Sequence, residues 1–335
     1  MMGRMSGRRL NALWILALAV SLASGACGGD PPAGPTPPPP PQLSVVCPPA
    51  QSGVSFQGQP AVISWPAPTT QGGTAPVQTS CTPASGSAFL PGTTTVACTA
   101  TGSGANQTAS CSFPVTVTRP PQIPVTRFMA FGDSITEGQQ SAAPTFLIVV
   151  PMEDYPFKLN VLLSARYADQ SIVVNNEGVG GEPIATGLAR LPGVLTARNP
   201  EVLLLLHGAN DLLGNPSEPT TGYIATKLGE MVRTAKARIP TITVLLATFP
   251  PQFIGTPSSR GAGAEFVPRL NQLIAGVAQR EGATLVDLNA PMSVDIKRYI
   301  GVDGLHPTEQ GFTLMAQTFA KVIQEKFEVK PAARR

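Results

Sequence analysis

The stretch Phe128-Met129-Ala130-Phe131-Gly132-Asp133-Ser134-Ile135-Thr136-Glu137-Gly138 changes character abruptly: an apolar run stops at Gly132 and an Asp–Ser pair follows. A buried parallel strand ends in this way when it delivers a side chain to the rim of a sheet. Glycine at 132 permits a tight turn, and a helical start after Ser134 would aim backbone N–H groups at a developing negative charge. A serine hydroxyl is a weak nucleophile by itself. It needs a base, a group that orients the base, and donors for an oxyanion. A Gly-Asp-Ser triplet alone is also an ordinary surface turn, so its meaning depends on what the chain supplies further down.

Around this stretch the pattern is α/β. Apolar runs at 127–131, 171–175, 202–206, 242–247 and 284–287 alternate with helical periodicity. Ile224, Leu228, Met231 and Ala235 keep one face of a helix; Phe312, Met315, Phe319, Val322 and Ile323 keep another, with Thr308 placed to cap it. Val202-Leu203-Leu204-Leu205-Leu206 is apolar without alternation, as a strand covered on both faces should be. The pattern predicts a five-stranded parallel sheet between two helical layers, an α/β three-layer sandwich. No G-x-S-x-G occurs, which argues against the α/β-hydrolase layout.

The chain has two histidines, His207 and His306, so an imidazole base is one of them. His207 ends the 202–206 strand between Leu206 and Gly208, where a packed or hydrogen-bonded supporting role is expected. His306 lies in Asp303-Gly304-Leu305-His306-Pro307, just before a helix. A turn over three residues brings the Asp303 carboxylate to Nδ1 of His306, which leaves Nε2 to accept the serine proton. Two further blocks stand between: Gly178-Val179-Gly180-Gly181 and Gly208-Ala209-Asn210-Asp211. The first fails as a dinucleotide fingerprint because Pro183 stands where a third glycine belongs.

These four blocks, in this order, resemble the SGNH (GDSL-type) hydrolases over roughly residues 127 to 328. The resemblance implies a flavodoxin-like sheet and a serine ester hydrolase acting through an acyl-enzyme on Ser134, with His306 as base and Asp303 as its orienter. It places the oxyanion donors at the backbone N–H of Ser134, the backbone N–H of Gly181 (with Gly180 adjacent) and the Asn210 side chain. No metal or organic cofactor is implied.

The N-terminal third is different material. Arg4, Arg8 and Arg9, an apolar stretch from Leu10 to Ala23 and the small residues up to Ala26 read as a signal peptide over 1–26. Ser24-Gly25-Ala26-Cys27 resembles a bacterial lipobox, with Ser24 where leucine is usual; it implies lipidation of Cys27 and an exported protein anchored at the cell envelope. Residues 27–42, with Pro37 through Pro41, form a semi-rigid spacer. Over 43–118, Cys111-Phe113-Val115-Val117 and Val96-Cys98-Ala100 alternate with polar residues, and Pro91-Gly92 supplies a turn, so short strands of a β-sandwich are expected. Cys47, Cys81, Cys98 and Cys111 allow three pairings, and the lack of any C-x-x-C argues against zinc. The segment resembles the hyalin-repeat (HYR) domain, an immunoglobulin-like module, and that resemblance favours Cys47–Cys111 and Cys81–Cys98; a carbohydrate or protein ligand would fit such a module. Residues 119–126 are a second proline-bearing linker and 329–335 a tail.

Charged residues make up only 13% of the chain. Removing the leader takes three arginines and leaves twenty basic and twenty acidic side chains. No basic run longer than two residues occurs before Arg334-Arg335, so a nucleic-acid partner has no electrostatic footprint. Two rivals to a hydrolase remain at this stage: an envelope glycan O-acyltransferase using the same residues, and a surface binding or adhesion protein with a vestigial hydrolase fold. Finally, Thr145-Phe146-Leu147-Ile148-Val149-Val150-Pro151-Met152 is apolar and close behind Ser134. It is expected either to tuck into the core or to wall an acyl pocket with Phe146, Leu147 and Ile148.

Overall fold

The computed structural model describes residues 42–143, 145–255 and 259–329. The expected leader, the lipidated Cys27 and nearly all of the proline-rich spacer lie outside the described residues. Among the described residues no helix is long and apolar enough to cross a membrane.

The first part is all β: β1 (Ser44–Val46), β2 (Gln51–Val54), β3 (Ala61–Ile63), β4 (Thr69–Gln71), β5 (Gln78–Thr82), β6 (Ser87–Phe89), β7 (Gly92–Thr101) and β8 (Thr108–Thr118). A four-stranded sheet runs β2-β8-β7-β5, and β1–β4 and β3–β6 form two small antiparallel pairs. The alternation read in β7 and β8 is the alternation of burial: Val96, Cys98, Phe113, Val115 and Val117 are buried against Trp65 and Phe89. Trp65 meets Phe113 edge-on at 5.2 Å, the favoured approach of two ring quadrupoles. Cys47 is bonded to Cys111 and Cys81 to Cys98, closing loops of 64 and 17 residues around this small core.

The segment between the two parts is fastened down. Ile123 is buried in the second core, and its N–H and C=O are both taken by the Gln170 side-chain amide, at 2.9 and 2.7 Å. Ile123 and Val125, either side of Pro124, pack against the sheet unit.

The second part follows as β9 (Arg127–Gly132), α1 (Ser134–Glu137), β10 (Gln139–Ala143), β11 (Phe146–Val149), α2 (Tyr155–Arg166), β12 (Val173–Gly178), α3 (Ile184–Arg198), β13 (Val202–Leu206), α4 (Ala209–Gly214), α5 (Glu218–Arg238), β14 (Thr243–Ala247), α6 (Val267–Glu281), β15 (Thr284–Val286), α7 (Asn289–Ser293), α8 (Ile296–Tyr299) and α9 (Glu309–Phe327). The five expected strands make one parallel sheet in the order β12-β9-β13-β14-β15. This is the doubly wound order in which a crevice opens beyond the carboxyl ends of the strands. Helices α2 and α9 pack together on one face, with Tyr155 stacked on Phe319 at 5.4 Å; α3, α5 and α6 form the other layer. Every residue of β13 is buried, which is why its sequence carries no alternation. Thr308 caps α9 as expected, its hydroxyl accepting from the Gly311 N–H.

One expectation is corrected. The apolar run after the nucleophile does not tuck into the core. It forms β11 of a two-stranded antiparallel ribbon with β10, in which Phe146 and Val149 are 61% and 51% exposed. An apolar run between turn residues reads as core only if another layer covers it, and Phe146 and Val149 meet no such layer among the described residues.

Candidate active site

Sheet register assembles the site. Gly132 of β9 pairs with Gly178 of β12 on one side and with Leu206 of β13 on the other. Three strand ends therefore lie level, and the three blocks that follow them emerge side by side. The crowding there demands glycine. A Cβ on Gly132 would run into the Leu206 carbonyl and the Thr136 hydroxyl.

Asp133 ties the first turn to its neighbour. Its Oδ2 accepts from the backbone N–H groups of Gly208 and Ala209, at 3.1 and 3.0 Å, and Oδ1 caps α1 through Ile135 N–H. Ser134 is thus held at the start of α1 with its side chain toward the crevice.

The fourth block arrives from before α9. Asp303 Oδ1 accepts from the backbone N–H groups of Leu305 and His306, which folds the short turn around the carboxylate. Asp303 Oδ2 then accepts from His306 Nδ1 at 2.6 Å. With that proton on Nδ1, Nε2 is an acceptor, and the Ser134 hydroxyl donates to it at 2.8 Å. All three side chains are buried. Burial pushes the Asp303 carboxyl up, but the bond and charge of His306 and the two backbone N–H groups outweigh it and hold it below the usual carboxylate range. Asp303 therefore stays ionised, able to hold the tautomer and to stabilise an imidazolium.

The second and third blocks meet across the crevice mouth. Gly181 has φ +75 with open space where a Cβ would project, whereas a Cβ on Gly180 would strike the side chains of Gln139 and Glu137. Of the two, only Gly181 has open space over its Cα. Asn210, in the first turn of α4, donates one Nδ2 proton to the Glu182 carbonyl at 3.1 Å and keeps the other. Beside Asn210 runs a groove of about 490 Å³ lined by Pro183, Asn210, Asp211, Asn215, Thr220 and Tyr223 among others. Asp211 Oδ2 fixes the start of α3 by accepting from Ile184 N–H, and burial raises its carboxyl above the ordinary range.

Beneath the second and third blocks lies a cluster that the sequence did not disclose. Glu182, 6% exposed, takes two bonds from Arg190 at 2.9 and 2.8 Å and one from His207 Nε2 at 3.0 Å. Burial raises the Glu182 carboxyl, and Arg190 and His207 more than reverse it, so that it lies below the ordinary range. Arg190 also donates to the Glu177 carbonyl and lies over the Phe131 ring. His207 is fully buried; its Nδ1 has no partner and stands 3.9 Å from Asp133 Oδ2. The geometry brings Ser134, Asp303 and His306 together and leaves His207 in this separate supporting network. The signal for Glu182 was present, a lone acid wedged between Gly181 and Pro183, but its partners come from other elements.

A family model described as GDSL-like Lipase/Acylhydrolase matches residues 130–314. Esterase TesA of Pseudomonas aeruginosa is 26% identical over 177 residues, covering 50% of this chain and 82% of that protein. An arylesterase of Vibrio mimicus is 23% identical over 199 residues, covering 59% of this chain and 88% of its own. Among solved structures, a lipase/acylhydrolase from Enterococcus faecalis superposes with a TM-score of 0.50 at 22% identity, over 62% of this chain and 100% of that one, a likeness of fold.

Proposed function

The chain belongs to the GDSL-like lipase/acylhydrolase family, and on that premise we propose that it is an exported, lipid-anchored serine esterase cleaving carboxylic esters through an acyl-enzyme on Ser134. The observation that carries this reading is the buried hydrogen-bond chain from Ser134 Oγ through His306 to Asp303, at 2.8 and 2.6 Å. The esterase names of the two relatives support a carboxylic ester as the substrate class.

In the first step Ser134 Oγ attacks the ester carbonyl while His306 Nε2 takes its proton. The carbonyl oxygen becomes an oxyanion facing the N–H groups of Ser134 and Gly181 and the free Nδ2 proton of Asn210. Collapse breaks the bond to the alkoxide, which leaves with the proton from His306. A water then attacks the acyl-enzyme by the same route, His306 taking its proton and returning it to Ser134. Asp303 remains a carboxylate throughout.

Export and anchoring at Cys27 rest on the leader-like 1–26 and the lipobox-like residues before Cys27. The N-terminal β unit, of hyalin-repeat type in this reading, would stand between the anchor and the hydrolase. The proposal is tested by assaying the purified chain on p-nitrophenyl acyl esters and acetylated sugars, with and without a glycan acceptor. Free acid released by the parent and lost in Ser134→Ala is expected. Acyl groups delivered chiefly to the acceptor would make it a transferase, and hydrolysis undiminished by Ser134→Ala would overturn the assignment.

A further inference from the structure

Between Glu137 and Glu153 the chain has no charged residue, and this stretch contains the β10–β11 ribbon. Four large apolar side chains stand out from it into solvent: Phe146 at 61%, Ile148 at 38%, Val149 at 51% and Met152 at 62%. Alternation along β11 puts Phe146 and Ile148 on one face of the ribbon and Val149 on the other, so among the described residues exposed apolar groups stand on both faces. The base of the ribbon, by contrast, is anchored at the crevice. Ser141 Oγ accepts from the Asp303 N–H at 3.1 Å, and the Gln139 amide lies against Gly180 while donating to Glu137 at 2.6 Å. Whatever the ribbon docks on is therefore brought to the mouth of the Ser134 site.

We infer that the ribbon docks the enzyme on a lipid surface, entering the acyl region of a bilayer or lipid aggregate from which the ester substrate is taken. This rests on the esterase reading and names its substrate class as esters held at a lipid–water interface. A fluid acyl layer can close around both faces of such a ribbon, and here exposed apolar side chains of β11 stand on both, beside the half-buried Gln139, Gln140 and Ser141 of β10. The absence of charge removes the desolvation cost that would otherwise oppose entry. The twenty acidic and twenty basic side chains beyond the leader add no net attraction for anionic lipid, so zwitterionic lipid is the appropriate probe.

The test uses the full chain carrying Ser134→Ala, so that catalysis plays no part and a failed esterase assay leaves it unaffected. Phe146→Trp adds a reporter at an exposed ribbon position, and Val62→Trp, 69% exposed on β3, adds one elsewhere. Each is mixed with phosphatidylcholine vesicles brominated in the acyl chains, and its signal is read over that of the parent. A blue shift and quenching at position 146, absent at position 62, are expected. Phe146→Ser with Val149→Ser should weaken vesicle binding by about tenfold for each side chain lost, as burial of groups this size implies. Emission at 146 unchanged by vesicles would overturn the inference. So would a blue shift already present without vesicles and accompanied by a dimer in sedimentation, which would mean that the ribbon pairs with a second copy.

Discussion

Replacing Glu182 by glutamine tests whether the buried cluster holds the oxyanion side of the site. The carboxylate now receives three N–H donors, two from Arg190 and one from His207, while the main-chain oxygen of the same residue receives Asn210. Glutamine offers one oxygen, and because Arg190 donates to both carboxylate oxygens its NH₂ meets an Arg190 donor in either orientation. It also leaves the Arg190 guanidinium, 24% exposed, without a counter-charge. Breaking a buried pair costs ~3–5 kcal/mol, and the lower end applies because Arg190 keeps the Glu177 carbonyl and the Phe131 face. For an α/β unit of this size ~3 kcal/mol corresponds to a fall in Tm of about 6–12 °C. Displacing Asn210 should lower kcat by about tenfold with KM little changed, a fraction of the loss expected when such a donor is removed outright. The sign with pH is fixed by the depressed Glu182 carboxyl. Its stabilisation is present above the ordinary carboxylate range and is lost as pH falls through the lowered value. The gap between parent and variant should therefore be full at pH 7 and narrow as pH falls below the ordinary carboxylate range and through the lowered value. Calorimetry and steady-state kinetics across pH read both quantities. A Tm and kcat indistinguishable from the parent at pH 7 would refute the reasoning.

Three further outcomes are expected. Asn210→Ala should lower kcat by about 10²-fold or more at near-constant KM in a protein that unfolds normally, measured on a soluble ester. His306→Ala should be far more damaging to kcat/KM than His207→Ala in folded protein; the reverse ranking of the two variants would mean the wrong base. Replacing Cys47 and Cys111 together by alanine should cost the N-terminal unit ~4 kcal/mol, from the 64-residue loop they close, as read by denaturant unfolding.

The sheet was legible because buried parallel strands are short apolar runs without alternation, and Val202–Leu206 is such a run. Register was not legible. That Gly132, Gly178 and Leu206 lie level is a property of the folded sheet, and without it the blocks are ordered along the chain but not placed in space. Gly180 and Gly181 look alike in sequence and differ only in φ and in what stands over them. The cysteines show the same limit from another side. Cys98 and Cys111 face each other across β7 and β8, yet Cys98 is bonded to Cys81 of β5 and Cys111 to Cys47 just after β1. Glu182, Arg190 and His207 escaped because their contact joins the start of α3 to the end of β13. The exposure of the β10–β11 ribbon was not legible because apolar composition records what a segment prefers to touch, and not whether the fold supplies it.

If Ser134 is a nucleophile activated by His306, it can be captured covalently. The folded chain is treated with a fluorophosphonate probe and digested, and the adduct is located by mass spectrometry. One adduct is expected, on the peptide carrying Ser134, lost in Ser134→Ala and strongly slowed in His306→Ala. An unlabelled chain that still hydrolyses esters, or an adduct on a different serine, would contradict that role.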